Sequence, residues 1–340
     1  MVNINIVAAS TSERRALSLR AGIYSLVSFG LTLAFAVPAS AQSTYPNRQV
    51  RVVVAFAPGG IADIAGRLIG QALTNRLGQK FYIENRSGAG GVIGAKLVSS
   101  APPDGYTLLV TTTSVVISAV ASKFAVDPSR QLIPVAQIAT TPDVFAANKA
   151  VTDKNMMDYL LGQKDGQFNF ATAGVGTLEQ LTSEYVFKSV AGLKPTHIPF
   201  SGGTPAINAL LGRQVEMTVV AFPATLPFIN KDGGLRLLAV ASHKRNPMIP
   251  DVPTLAEAGF TDLESASWIS VFAPPETPSA VTNKLSTEIN TALNQADVRD
   301  RLVELGFEVN TSSQAAFADY IKSEMEKWSQ VVKTTGFSLN

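Results

Sequence analysis

Cysteine is absent from the 340 residues, which excludes disulfides, thiolate nucleophiles and zinc–thiolate centres. Histidine occurs twice, at His197 and His243, in separate segments without ligand spacing; no metal site is expected. Charge is scarce as well: 16% of residues are charged against 46% hydrophobic, the balance of a folded globular chain with a large core. Basic residues form no run, so a phosphate backbone has nothing to pair with and nucleic acid is not expected as a partner. Neither a GxSxG nucleophile elbow nor a GxxxxGK[ST] phosphate loop occurs.

Long apolar runs are missing too, with one exception at the N-terminus. Arg14, Arg15 and Arg20 precede an apolar stretch over 21–37, followed by Pro38 and the small-x-small tripeptide Ala39-Ser40-Ala41. This is the pattern of an export signal, with cleavage expected after Ala41 and a mature chain beginning at Gln42. An uncleaved membrane anchor is the alternative. The Arg14-Arg15 pair leaves Sec and twin-arginine export both open. The first 41 residues hold three basic residues and one acid, Glu13, so the mature chain keeps 25 of each sign. A soluble periplasmic protein is the expectation.

The mature chain alternates strands and helices. Val50, Val52, Val53, Val54 and Phe56 form a nearly continuous apolar run over 49–57, as in a strand buried on both faces. Pro58-Gly59-Gly60 follows, then apolar positions Ile61, Ile64, Ala65, Leu68, Ile69, Ala72, Leu73 and Leu77 at helical spacing, stopped by Gly78. Further strands are expected over 80–85 and 106–112, with helical sequence after each. The pattern restarts with strands over 168–173, 196–200, 215–221 and 235–242, and helices over 178–190 and 205–211. The final third is mostly helical, over 281–293, 296–305 and 315–332. These spacings predict an α/β protein with mainly parallel sheets, in two adjoining blocks without a floppy linker.

Four strand–turn–helix junctions could carry chemistry, because ligands in open α/β sheets sit beyond the carboxyl ends of strands. They are Gly59-Gly60, Thr112-Thr113-Ser114, the turn over 174–177 and Ser201-Gly202-Gly203-Thr204. Free N–H groups and the positive dipole end at a helix N-terminus suit an anion. Each junction also has a purely local explanation. Thr177 with Gln180 makes a capping box, Thr204 before Pro205 an N-cap with proline in first place, and Asp63 complements a helix dipole. None of the four turns contains Lys or Arg; Arg86, the nearest, reads as a structural pair. Hydrogen bonds to a charged group contribute roughly 1.5–3 kcal/mol each, so four or five could supply the ~8 kcal/mol of a micromolar complex. His197 lies inside a short strand and reads as a satisfied histidine. Gly88-Ala89-Gly90-Gly91-Val92-Ile93-Gly94 is similar to a dinucleotide loop, but its third glycine is one place late and Thr111-Thr112-Thr113 stands where a ribose-binding acid belongs.

Taken together, these residues resemble the Bug-type receptors of tripartite tricarboxylate transporters. The resemblance runs from Tyr45-Pro46-Asn47-Arg48 through the turn at 53–60 with Asp63 and Arg67, and Glu84-Asn85-Arg86-Ser87-Gly88-Ala89-Gly90-Gly91. It continues over Pro103-Asp104-Gly105-Tyr106 and the turn at 174–177 to Pro250-Asp251-Val252-Pro253-Thr254, Trp268 and Ala273-Pro274. It implies a two-lobed Venus-flytrap fold with two crossing strands, hinged near 141–147 and 265–272. Lobe 1 would comprise 42–145 with 265–340, and lobe 2 146–264. A small carboxylate would be gripped between the lobes, for uptake by membrane permease subunits. The candidate ligand-binding residues are Phe56, Ala57, Gly59, Gly60, Thr112, Ser114, Gly174, Gly176, Thr177, Ser201, Gly202 and Phe222. Gly60→Ala and Gly176→Ala are expected to behave alike, weakening binding with little effect on folding. The family often has His where Gln180 stands and a tyrosine followed by a basic or polar residue where Phe200-Ser201 stand. Val220-Ala221-Phe222 makes the far end of the site less polar, which favours aliphatic or aromatic carboxylates over citrate. The resemblance implies a monomeric binding protein, without enzymatic activity, cofactor or metal. A periplasmic sensor acting on a signalling partner and an exported dinucleotide-dependent oxidoreductase are the alternatives.

Overall fold

The computed structural model describes residues 45–152, 155–163, 168–230, 233–260, 263–335 and 337–339. The export signal and its cleavage point after Ala41 lie outside them. Strand β1 (Val50–Val54) follows from its valines: Val50, Val53 and Val54 are fully buried, because helices cover both faces of a sheet that pairs β1 in parallel with β2 (Phe81–Asn85) and β3 (Thr107–Thr112). Helix α1 (Ile61–Leu77) buries Ile61, Ala65, Ile69, Ala72 and Leu73, the stripe its 3–4 spacing predicts. Each fully buried side chain of Val or Leu size contributes roughly 1.5–3 kcal/mol. Helices α2 (Val92–Ser99) and α3 (Ser114–Ala121) follow β2 and β3.

Strand β4 (Ile133–Asn148) organises the molecule. Its first part, Ile133 to Pro142, pairs antiparallel with β9 (Ala266–Ala273), and β9 pairs antiparallel with β3. From Asp143 onward the same strand pairs with β7 (Met217–Ala221) on one side and, from Val144, with β8 (Leu235–Val240) on the other. Strand β5 (Asn169–Thr172) then joins β7 and β6 (Thr196–Pro199) in parallel. Parallel pairing therefore holds within β1–β2–β3 and β5–β6–β7, as the hydrophobic runs predict, while the crossing strands β4 and β9 pair antiparallel and make both sheets mixed.

The chain enters the second sheet through β4 and returns beside it. Asp143 N–H donates to the Ser265 carbonyl at 2.9 Å, and Ser265 N–H to the Ala241 carbonyl at 2.9 Å. Helix α4 (Met156–Leu161), helix α5 (Leu178–Glu184), continued by a π-turn over Tyr185–Val190, and helix α6 (Gly203–Leu211) flank the second sheet. Phe145, Phe168, Phe170 and Phe187 pack there edge to face or tilted. After β9 the chain adds α7 (Ser279–Leu293), α8 (Ala296–Glu304), the short β10 (Glu308–Val309) on the edge of β4, and α9 (Gln314–Thr335). Their apolar faces join the core of the first sheet, where Trp268, Phe272 and Phe317 cluster. No described helix is long and apolar enough to cross a membrane.

Candidate functional site

The turn after β1 is clamped from below. Gly59 N–H donates to Asp63 Oδ2 at 3.0 Å, Arg67 Nε to the same oxygen at 2.9 Å, and Asn85 Nδ2 to Asp63 Oδ1 at 2.9 Å. Asn85 also holds the Phe56 carbonyl at 2.9 Å. Burial pushes the Asp63 carboxyl up, but Arg67, the Gly59 N–H and Asn85 together outweigh it and hold the group below the usual carboxylate range. Asp63 is a positioning acid, as its place in the first helical turn predicts.

Across from this turn stand the turns of the second sheet. Ala57 N–H donates to the Ser201 carbonyl at 3.0 Å, and Ser118 Oγ to the Gly176 carbonyl at 3.4 Å. A Cβ at Gly59 would lie 3.0 Å from Thr204 Oγ1, and one at Gly202 3.0 Å from the Ala57 Cβ. The junctions singled out from sequence therefore face each other between the sheets, in a closed arrangement. They enclose a cavity of about 20 Å³ lined by Phe56, Gly60, Ile61, Ala62, Thr112, Ala173, Glu179, Gly203, Ala221 and Ala224. Such a volume holds about one water; a larger guest enters only when the lobes part and the Ala57–Ser201 bond breaks.

The candidate residues divide at this cavity. Phe56, Gly60 and Thr112 line it directly. Ala57, Gly59, Ser201 and Gly202 make the contact between the two turns at its rim. Ser114 is buried behind Thr112, whose hydroxyl donates to Ser114 Oγ at 3.1 Å. Gly174, Gly176 and Thr177 form the capping turn of α5: Thr177 Oγ1 donates to the Gly174 carbonyl at 3.0 Å and accepts from Gln180 N–H at 3.3 Å. Gln180 Oε1 in turn takes the Gly176 N–H at 2.8 Å. Phe222 is fully buried in the second lobe's core, in a cluster with Ile207, Leu210 and Val220.

Two local expectations change. The N-cap of α6 is Gly202, and no side chain caps it; Thr204 and Pro205 lie inside the helix, which starts two residues earlier than its polar residues suggest. The equivalence of Gly60 and Gly176 also fails. Gly60 has φ −80 and its Cβ would meet only the Ala57 carbonyl, at 3.5 Å. Gly176 has φ +76, and a Cβ there would lie 2.6 Å from Leu339 Cδ1 and 2.8 Å from Ser118 Oγ.

Other chemistry-bearing residues are accounted for structurally. His197 Nε2 lies 2.8 Å from Thr172 Oγ1 and the ring stacks on Phe170 at 5.0 Å; burial pushes its pKa down to about 4, so it is neutral at physiological pH. Arg86 pairs with Glu84, which Arg51 also holds. At the glycine-rich turn over 88–94, Gly90 lies against the Val175 carbonyl, so this turn is part of the contact between the lobes.

Sequence reasoning missed the acids. Glu179 lines the cavity at 5% exposure, and among the described residues its Oε2 has no hydrogen-bond partner. Asp143, fully buried where β4 changes sheets, accepts from Ser265 Oγ at 2.6 Å through Oδ2, and its Oδ1 has no hydrogen-bond partner among the described residues. Burial first, and then the charge of Glu179, push the Asp143 carboxyl well above its ordinary range; burial raises Glu179 as well. In the sequence Glu179 is an acid in a helix's first turn, indistinguishable from one that merely complements the dipole.

Two mixed sheets joined by crossing strands, with a cleft where strand ends meet, define a periplasmic-binding-protein fold. The chain belongs to the tripartite tricarboxylate transporter family of receptors, whose family model matches residues 65–337. It is similar to protein BugT of Bordetella pertussis, with 32% identity over 317 residues that cover 92% of this chain and 96% of BugT. Among solved structures it is similar to MatC of Rhodopseudomonas palustris with bound malate, at 33% identity and a TM-score of 0.78, over 85% of this chain and all of that one. The R. palustris protein Rpa4515 with adipate gives 31% identity and a TM-score of 0.81, over 86% of this chain and 99% of that one. The family and these neighbours are binding proteins.

Proposed function

We propose that the protein captures a small carboxylate between its two lobes in the periplasm and delivers it to the permease subunits of a tripartite tricarboxylate transporter, itself carrying out no reaction. The observation that carries this is the meeting of strand-end turns from two sheets around one cavity. Glycine turns at helix N-termini favour a carboxylate without a basic residue, and two relatives have malate and adipate bound. The lobes divide where β4 changes partners at Asp143 and where the chain returns at Ser265. The ligand is held by the turns carrying Phe56, Ala57, Gly59, Gly60, Thr112, Gly174, Gly176, Thr177, Ser201 and Gly202. Ser114 and Phe222 support the wall behind them. The mature chain begins at Gln42 and acts as a monomer.

A thermal-shift screen of the mature protein against mono-, di- and tricarboxylates tests this. A ligand at 100 times its Kd adds about 2.7 kcal/mol of stability, a readily measured rise in melting temperature. No response to any carboxylate at millimolar concentration rejects the proposal. Deleting the gene should abolish uptake of the ligand found; intact uptake with lost gene induction would assign the protein to sensing.

A further inference from the structure

The cavity wall carries an acid and no base. Among its lining residues only Glu179 is ionisable; the others are Phe56, Thr112, Ile61 and small residues. Its Oε2 is buried without a partner, and Asp143, the nearest buried carboxyl in charge terms, likewise keeps Oδ1 unpartnered. A second anionic group brought to this wall would meet like charge, and neither lysine nor arginine lines the cavity to offset it. A donor, by contrast, would find an acceptor that is already desolvated, so pairing there costs no further loss of water from Glu179. Gly60 and Gly203 begin helices α1 and α6, with α1 seventeen residues long and its positive end turned to the cavity.

We propose that the ligand is an amino carboxylate, its carboxylate on the turn at Gly60 and its ammonium on Glu179 Oε2. This rests on the carboxylate-receptor proposal and narrows it: malate- and adipate-like dianions are poor ligands for this chain, and a zwitterion is the good one. The two buried acids give the arrangement a reason. Burial drives both carboxyls toward the protonated state, the charge of Glu179 adding to it at Asp143, and a bound ammonium compensates the charge of Glu179 on binding.

The test uses matched pairs that share a carbon skeleton with and without the amino group: alanine and propionate, leucine and 4-methylpentanoate, phenylalanine and 3-phenylpropanoate, with malate and adipate alongside. Titration calorimetry of the wild-type mature protein should show at least one amino member bound tenfold or more tightly than its partner and than either dianion. Glu179→Gln, nearly isosteric, should weaken the amino member at least tenfold while changing its partner less than threefold. If a desamino acid or a dianion binds best and Glu179→Gln leaves the order unaltered, the amino-carboxylate assignment is wrong while the receptor survives. If nothing in the panel binds and the wider carboxylate screen is also silent, the receptor proposal falls and takes this one with it. Should Glu179→Gln not fold, the wild-type preference within the pairs decides alone.

Discussion

At the scale of single residues, two glycines that look alike in sequence have opposite roles. Gly60→Ala introduces one methyl group into the cavity wall without backbone strain, since its φ is −80. It should lower carboxylate affinity at least tenfold, about 1.4 kcal/mol, and leave the melting temperature of the ligand-free protein nearly unchanged. Calorimetry giving wild-type affinity would remove Gly60 from the site. Gly176→Ala forces alanine into the left-handed region and against Leu339 and Ser118. It should cost about 1 kcal/mol or more, visible as a lowered denaturation midpoint before any ligand is added; a midpoint equal to wild type would contradict the crowding described. The strand-end rule made Phe56, Gly60 and Thr112 legible from sequence, because it needs only the order of elements. Glu179 was not legible: whether a first-turn acid faces water or a cavity depends on which neighbouring lobe covers it, and nothing local encodes that.

At the scale of elements, β4 is the feature that local patterning hides. β1 is a run of valines buried on both faces, whereas β4 contains Pro134, Gln137, Pro142 and Asp143 within one sixteen-residue strand. It is two half-strands for two sheets, and its bulges, between Pro134 and Ala136 and between Gln137 and Ala139, break the alternation a single sheet would impose. Sequence resemblance put the hinge near 141–147; the pairing change falls at Asp143. This acid links the crossing segments through Ser265, and its elevated pKa gives a pH dependence with a definite sign. The unfolded value is near ~4 and the folded value lies well above it. The native state therefore gains stability that is complete below pH ~4 and lost as the pH rises through the folded pKa. Urea unfolding from pH 4 to 8 should show this decline, and Asp143→Asn, uncharged at every pH, should flatten it in part, Glu179 supplying the remainder. An equal decline in the variant would mean that Asp143 titrates in the folded protein as it does in the unfolded chain.

At the scale of the whole molecule, the contact between lobes includes the Ala57–Ser201 and Ser118–Gly176 hydrogen bonds with glycine-lined approaches around them. A ligand that touches both lobes should favour this closed contact. Small-angle scattering should therefore give a smaller radius of gyration at ligand saturation than without ligand; superimposable curves would argue for a rigid cleft. The insertion of the second sheet between β4 and β9 also bears on how the protein is made. The edge of β3 is sealed only by β9, and the helices that bury Trp268 and Phe317 come later still. During synthesis the second lobe has all its strands first, while the first lobe keeps an open edge until β9 has been added and an unfinished core until α9 follows. A chain whose first-begun lobe is the last to be completed stays threadable until its C-terminal helices have been made.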